Sequence, residues 1–247
     1  MAASAGKKPI SPTRSSAASD VSGGHAERKR GMLYGRRKGP KLSAHQQHLL
    51  DHLLPQLELH LSHADPHTYF SGAVEEVWLE VGFGGGEHLI WQAQHHPDIG
   101  LIGAEPYVNG VVKLLSQLEA TSLANIRIYC SDAREILEAL PDASLGRVFI
   151  LFPDPWPKRR HHKRRFIQMD MLNQLARVLK PSAELRFASD DADYAEWTLE
   201  HLMAHPAFDW TATRATDWQA RPDGWPPTRY EAKELHGKPV FLKFARR

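Results

Sequence analysis

Short apolar runs alternate with amphipathic stretches along most of the chain, which is the pattern expected of a sheet covered by helices. The predicted strands are residues 77–82, 101–106, 126–133, 147–155, 184–191, 208–213 and 240–246. Helical spacing of apolar positions follows each of the first five strands, and the last two have little helix between them. Five strand–helix units with a closing hairpin predict an α/β fold. The expected sheet is Rossmann-like, doubly wound and mostly parallel, with about seven strands and helices on both faces.

A further amphipathic helix is predicted before the first strand. Leucines recur at helical spacing between residues 49 and 57, Ser43 is placed to cap the helix, and Pro55 should end or kink it. Three histidines follow the same stretch: His45, His48 and His52. Their spacing could suit a metal ion, but neither a carboxylate nor a cysteine of the stretch completes a ligand set. A solvated helix face is the favoured interpretation, and no metal site is predicted.

Charge is distributed unevenly. Between Met1 and Lys41 there are ten Lys and Arg residues against Asp20 and Glu27, a charge of +8. Because the whole chain has a formal net charge of +2, the remainder must carry −6. The first part is also rich in Ser, Ala and Gly and lacks apolar periodicity. We therefore predict a disordered basic arm over residues 1–30 and a single domain over 31–247, the arm serving either to contact nucleic acid or as a solubilising tail.

Several protein classes are excluded by composition. No run approaches the roughly 18 apolar residues of a membrane helix, and the N-terminus lacks the apolar core of a signal peptide. Cys130 is the single cysteine, which excludes an internal disulfide, a zinc ribbon and a redox CxxC pair. We expect a cytoplasmic protein without membrane contact, with 42% hydrophobic residues to form its core.

Ligands of an open parallel sheet bind beyond the carboxyl ends of its strands. The first strand ends near Glu80 in a turn with Gly82, Gly84 and Gly86, where a ligand can approach the backbone closely. A dinucleotide-binding turn would have glycine where Glu87 stands, and that carboxylate would face the pyrophosphate. The turn therefore favours a cationic cofactor without phosphates, such as S-adenosylmethionine. A glycine-rich turn without a ligand is the alternative.

Carboxylates also follow the next strands. Glu105 ends the second and can accept from both hydroxyls of a ribose, and Asp132 ends the third, within reach of an adenine amine. The fourth is followed by a proline-rich loop that presents Asp154 and Trp156 rigidly. Six Lys and Arg residues come directly afterwards, between positions 158 and 165. A carboxylate, an aromatic ring and a basic run together suit a flipped guanine on a nucleic-acid strand.

From about Leu33 to Arg246 the chain resembles the bacterial tRNA guanine-N7 methyltransferases. The motifs that carry the resemblance are YGRRKG, LEVGFGGGEHL, GAEPYVNG, FPDPWPKRRHHKRRF, ASDDADYAEW and the late TRYE. FPDPWPK with TRYE is the specific combination, because all class I methyltransferases share the glycine turn. The resemblance implies a class I methyltransferase that uses S-adenosylmethionine to methylate guanine 46 in the variable loop of tRNA. It also implies tRNA as partner, no required metal, and a monomer or homodimer.

The candidate site residues follow from these motifs. Cofactor contacts are expected at Glu80, Gly82, Gly84, Gly86, Glu105, Asp132 and Asp154. Substrate contacts are expected at Lys158, Asp190, Thr228, Arg229, Tyr230 and Glu231. Asp154 is implied to be the catalytic residue. Asp190 and Glu231 have alternative interpretations as helix caps or as acceptors for nearby arginines, and Asp191 stands where some relatives have an aromatic residue.

The chemistry itself limits the role of the acid. Guanine N7 has an in-plane lone pair and no proton, so its attack on a methyl group needs no general base. Asp154 is therefore expected to orient the ring and to offset its developing positive charge. Two other functions stay open at this point: a noncatalytic RNA-binding subunit, and a nicotinamide-dependent oxidoreductase, which Glu105 would suit but Glu87 opposes.

Overall fold

The computed structural model describes residues 1–2, 35, 37–227, 231 and 237–247. The chain divides into two units, Met1–Met32 and Leu33–Arg247, and every element below belongs to the second. Nearly all of the predicted basic arm lies outside the described residues, so its disorder stays a prediction.

Seven strands of the described residues form one sheet. They are β1 Glu76–Val81, β2 Ile99–Ala104, β3 Ile126–Tyr129, β4 Leu145–Leu151, β5 Leu179–Ser189, β6 Phe208–Trp210 and β7 Val240–Arg246. Their order across the sheet is β3-β2-β1-β4-β5-β7-β6. The first five strands are parallel, while β7 is antiparallel to both β5 and β6. The predicted α/β class and mostly parallel sheet are confirmed, and the closing pair forms with β7 inserted beside β5.

Helices cover both faces of this sheet. They are α1 Ala44–His52, α2 Leu54–Leu57, α3 Glu87–His95, α4 Val108–Leu118, α5 Ala133–Ala139, α6 Met169–Val178, α7 Ala192–Ala204 and α8 Thr216–Gln219. One apolar layer holds Leu89 of α3 and Leu114 of α4, and the opposite layer holds Leu172 of α6 and Tyr194 of α7. None of the helices in the described part of the chain is long and apolar enough to cross a membrane.

The predicted N-terminal helix is confirmed, including its ends. Ser43 accepts a hydrogen bond from the Gln46 amide, Gln46 accepts one from the Ser43 amide, and a new short helix begins around Pro55. The structure brings Glu119, which directly follows α4, to His45, with 3.0 Å between Nε2 and Oε2. Among the described residues, no three metal-ligating side chains come together.

Five predicted strands continue two or more residues too far at their carboxyl ends. The strands predicted over 101–106, 126–133, 147–155, 184–191 and 208–213 end at Ala104, Tyr129, Leu151, Ser189 and Trp210. β3 ends at Tyr129 because Asp132 already caps α5 by accepting from the Arg134 amide. β4 ends at Leu151 because Phe152 turns into the left-handed region, with φ of 49°. The predictions for 130–133 and 152–155 are therefore wrong, because these residues lie beyond the sheet edge.

Candidate functional site

A cavity of about 420 Å³ opens at the carboxyl ends of the parallel strands. Its wall includes six residues singled out from the sequence: Gly82, Gly84, Glu105, Asp132, Asp154 and Trp156. The sheet topology explains the meeting, because the loops after β1, β2, β3 and β4 leave the same edge. Glu80 and Gly86 belong to the predicted cofactor set but are not part of this wall.

The conformation and packing of the glycine turn after β1 require residues without a Cβ. Gly82, Gly84 and Gly86 all have positive φ, between 58° and 82°. Gly110 of α4 lies so close that a Cβ on it would stand 2.4 Å from the Gly84 carbonyl oxygen. At Gly86 a Cβ would stand 2.5 Å from the Leu114 side chain. Gly86 therefore lets α3 start against α4, while Gly82 and Gly84 expose backbone to the cavity.

Glu105 organises the second strand end. Its two carboxylate oxygens accept from the backbone amides of Gly84 at 2.8 Å and Tyr107 at 2.9 Å. Burial raises the pKa of Glu105 against the lowering effect of these donors, and the nearby Asp154 carboxylate raises it further. Each oxygen keeps a lone pair, so the carboxylate can still accept from a ligand.

Asp132 is engaged more fully than the sequence indicated. Besides capping α5, its Oδ2 pairs with Nη1 of Arg134 at 3.0 Å. The Arg134 guanidinium in turn lies 5.1 Å from the centre of the Phe166 ring, and both residues line the cavity. Sequence reasoning missed Arg134, although its position two residues after a strand-end acid was a usable signal.

The loop after β4 has strained backbone on both sides of Asp154. Phe152 and Trp156 have φ of 49° and 48°, a region that residues other than glycine seldom adopt. Asp154 lines the cavity, where partial burial of its carboxyl raises its pKa. The Arg164 guanidinium lies 4.9 Å from the Trp156 ring centre, and both residues belong to the cavity wall.

The basic run contains one residue that does not face solvent. Arg165 is fully buried, where its Nε donates to the Pro155 carbonyl at 2.9 Å and its guanidinium pairs with Asp193. It also lies 4.9 Å and 5.2 Å from the ring centres of Tyr194 and Trp197 on α7. Arg165 therefore anchors the loop, a role that sets it apart from its exposed basic neighbours. The exposed members are Lys158, Arg159, Arg160 and Lys163.

Glu80 does not line the cavity. Strand side chains alternate, so Glu80 shares a face of β1 with Trp78 and lies under α3. There its Oε2 is 2.8 Å from Nδ1 of His88, with both residues nearly inaccessible to solvent. A direct cofactor contact at Glu80 stays a prediction, and the structure gives the side chain a buried partner.

The predicted substrate residues come from three separate parts of the chain. Lys158 directly precedes a 3-10 turn over Arg159–Arg164, and Asp190 directly follows β5. The cap of α7 is Asp191, which accepts from the Tyr194 amide at 2.8 Å. Glu231 accepts from Arg221 Nη1 at 3.1 Å, in agreement with its alternative interpretation as an arginine acceptor. Thr228, Arg229 and Tyr230 lie outside the described residues.

A segment before α1 also borders the cavity, and sequence reasoning missed what holds it. Gly35 lines the wall near Asp154. Asn109 accepts from the Gly39 amide at 2.8 Å and donates to the Pro40 carbonyl at 3.0 Å. The Asn of the GAEPYVNG motif therefore fastens this segment to α4.

Known proteins are similar to this chain in sequence. A protein-family model described as "Putative methyltransferase" matches residues 74–242. A tRNA (guanine-N(7)-)-methyltransferase of Rhodospirillum rubrum is 54% identical over 223 residues, which cover 87% of this chain and 88% of that protein. A protein of the same name from Nitrobacter hamburgensis is 49% identical over 239 residues, or 94% and 92% of the two chains. This chain belongs to the tRNA (guanine-N7)-methyltransferase family. The resemblance inferred from FPDPWPK and TRYE is confirmed.

Solved structures agree on the fold of this family member. The 16S rRNA methyltransferase KamB aligns with a TM-score of 0.51 and 17% identity, covering 70% of this chain and 88% of its own. An antibiotic-related methyltransferase gives the same score and identity over 78% and 97% of the two chains. This chain therefore has the Rossmann-like methyltransferase fold, with β7 antiparallel beside β5.

Proposed function

We propose that this protein transfers the methyl group of S-adenosylmethionine to N7 of guanine 46 in the variable loop of tRNA, giving 7-methylguanosine. The observation that carries the proposal is the meeting of Glu105, Asp132 and Asp154 around one cavity, next to a run of exposed cations. The names of the relatives supply the reaction and the substrate class. We further propose that it works in the cytoplasm, as a monomer or homodimer, and without a metal ion.

The cavity suits this cofactor in charge and in shape. S-adenosylmethionine carries an ammonium and a sulfonium group, which a wall of carboxylates attracts. Gly82 and Gly84 leave backbone exposed to the cavity. Gly110 of α4 packs so closely against the turn that a Cβ on it would stand too near the Gly84 carbonyl oxygen. In this assignment Glu105 accepts from the ribose hydroxyls, Asp132 accepts from the adenine amine, and Gly82 and Gly84 face the methionine portion. When bound, the cofactor supplies an electrophilic methyl group.

The guanine side of the proposal rests on the loop after β4. Trp156 and Asp154 both line the cavity, so an aromatic ring and a carboxylate are available to the base. The buried Arg165 anchors the loop by donating to the Pro155 carbonyl. Lys158 and the exposed Arg159, Arg160 and Lys163 would contact tRNA phosphates. Asp190 and the segment Thr228–Glu231 are assigned to the substrate by resemblance.

Catalysis in this site would come from alignment and electrostatics. The guanine N7 lone pair attacks without loss of a proton, so no residue of the chain has to act as a base. In this proposal Asp154, presented by the proline-rich loop, would orient the ring and stabilise the positive charge that the ring gains.

The test uses radiolabelled S-adenosylmethionine with unmodified tRNA, followed by borohydride and aniline, which cleave the chain at 7-methylguanosine. The matched control is the same tRNA with adenine at position 46. We expect label incorporation and cleavage in the variable loop of the first tRNA only, unaffected by EDTA.

Each other result would contradict a separate part of the proposal. Label without cleavage would mean that a different atom is methylated. Cleavage elsewhere would exclude position 46. Binding of tRNA without any label would favour the noncatalytic RNA-binding alternative.

A further inference from the structure

A chain of buried polar groups runs beneath the glycine turn. Glu80 Oε2 lies 2.8 Å from His88 Nδ1, and His88 Nε2 lies 3.0 Å from Gln92 Nε2. Gln92 Nε2 then donates to the Gly224 carbonyl at 3.3 Å. Glu80, His88 and Gln92 are each at most 3% exposed. These three contacts thus connect the end of β1, through α3, to the loop 221–227.

The donors and acceptors of these four residues are compatible with one assignment of the hydrogen positions. A proton on His88 Nδ1 faces the Glu80 carboxylate, which leaves Nε2 as an acceptor for the Gln92 amide. The second proton of that amide serves Gly224. Gln92 Oε1 is buried and, within the described part of the chain, has no hydrogen-bond partner. The opposite orientation of the Gln92 amide would place its oxygen against the Gly224 carbonyl oxygen. The Gln92 NH₂ group must therefore face Gly224.

Aromatic side chains surround the polar groups. The His88 ring meets Phe149 edge-on at 4.7 Å and Trp225 at 6.1 Å between ring centres. Trp225 is 6% exposed and also packs on Phe241 at 5.6 Å. In such surroundings a hydrogen bond is directional and costly to lose, so Gln92 specifies where Gly224 sits.

The position of Gly224 matters because the next segment of the chain is assigned to the substrate. The loop 221–227 leads directly into residues 228–231, which resemblance gives that role. Arg221 pairs with Glu231, so the start of the loop contacts the end of that segment. At the opposite end of the polar chain, Glu80 stands two residues before Gly82 of the cavity wall.

We propose that His88 and Gln92 are positioning residues that hold the loop 221–227, whose Arg221 pairs with the predicted substrate residue Glu231, in the position that tRNA binding requires. This inference rests on the proposed function. Gln92 does not line the cavity and donates to Gly224, so the effect of substituting it should fall on tRNA rather than on the cofactor.

The test compares Gln92→Met with Gln94→Met. The first keeps side-chain length but removes both donors, and the second makes the same change on the exposed side of α3. We expect Gln92→Met to raise KM for tRNA about tenfold, as the loss of one buried hydrogen bond would. Affinity for S-adenosylhomocysteine, measured by calorimetry, should stay within about twofold. Amide exchange in residues 221–227 should become faster.

Three results would overturn the inference. One is an unchanged KM for tRNA, and another is an equal loss of affinity for cofactor and tRNA. The third is a fall in kcat alone, which would assign the effect to the reaction step or to the folded fraction rather than to tRNA binding. Gln92→Glu provides a second variant if Gln92→Met does not fold, since it stays polar but sets an acceptor against Gly224. If wild type and Gln94→Met both fail to methylate tRNA, the proposed function itself fails, and this inference with it.

Discussion

The two sides of the cavity are held by different kinds of interaction. On the cofactor side, residues 81–84, 104–113 and 132–134, backbone amides fix the key carboxylate, as Gly84 and Tyr107 do for Glu105. On the substrate side, residues 152–166, a side chain distant in sequence fixes the loop, as Asp193 does through Arg165. The first side is therefore fixed by the sheet itself, whereas the second depends on individual contacts that single substitutions can remove.

The largest expected effect comes from removing the anchor of the substrate side. Arg165→Ala should lower the free energy of unfolding by about 3 kcal/mol, because a large buried side chain and its contacts with α7 are lost. Arg160→Ala, on the exposed face of the same run, should change stability by less than about 0.5 kcal/mol. Urea denaturation measures both. Equal stabilities would mean that Arg165 does not anchor the loop.

On the cofactor side the corresponding change is Glu105→Gln. It removes the charge and puts an NH₂ group against one of two backbone donors. We expect cofactor affinity to fall about 100-fold, with tRNA affinity unchanged. Calorimetry with S-adenosylhomocysteine gives the first value and gel shift the second. Glu119→Gln, which alters an exposed carboxylate beside α1, is the control. A similar loss of cofactor affinity in this control would mean that the effect is not specific to Glu105.

Asp154 lies where the two sides meet, and its substitution should affect the reaction step. Asp154→Asn is expected to lower kcat about tenfold while both ligands still bind, because the amide keeps the shape but not the charge. Since burial raises the pKa of Asp154, the wild-type carboxylate gains its proton at higher pH than an ordinary aspartate as the solution is acidified. Wild-type activity should therefore fall on the acid side through loss of this charge.

In Asp154→Asn the part of the acid fall that belongs to Asp154 should disappear. Single-turnover rates across pH check both statements. Complete loss of activity with cofactor and tRNA bound would contradict the positioning role.

The smallest effect is expected at the exposed cations. Arg160→Ala should weaken tRNA binding a fewfold and lower the slope of log affinity against log salt by about 1. Binding titrations at several salt concentrations measure this slope. A slope equal to that of wild type would exclude Arg160 from phosphate contact.

Much of the cofactor side could be predicted because its determinants are local. The glycines and the acids at strand ends each depend on a few neighbouring residues. The orientation of Glu80 was also within reach, since it shares the parity of buried Trp78 on β1. What no local rule gives is its partner, because His88 comes from the next helix and Gln92 one turn later.

The substrate side could not be predicted in the same way. Arg165 looks like its basic neighbours in sequence, and only the packing of α7 against the loop distinguishes it. Its acceptor, Asp193, is 28 residues away. Asp190 and Asp191 are equally plausible caps by sequence, and the geometry of the first turn of α7 selects Asp191.

The strained backbone at Phe152 and Trp156 has a consequence for engineering. Glycine or asparagine tolerates a left-handed φ better, so either change could raise thermal stability in a selection that scores folding alone. Such a selection would also release the rigid presentation of Asp154. Improved heat resistance and slower methylation are therefore expected to appear together at these two positions, and a screen for robust variants should retain an activity threshold.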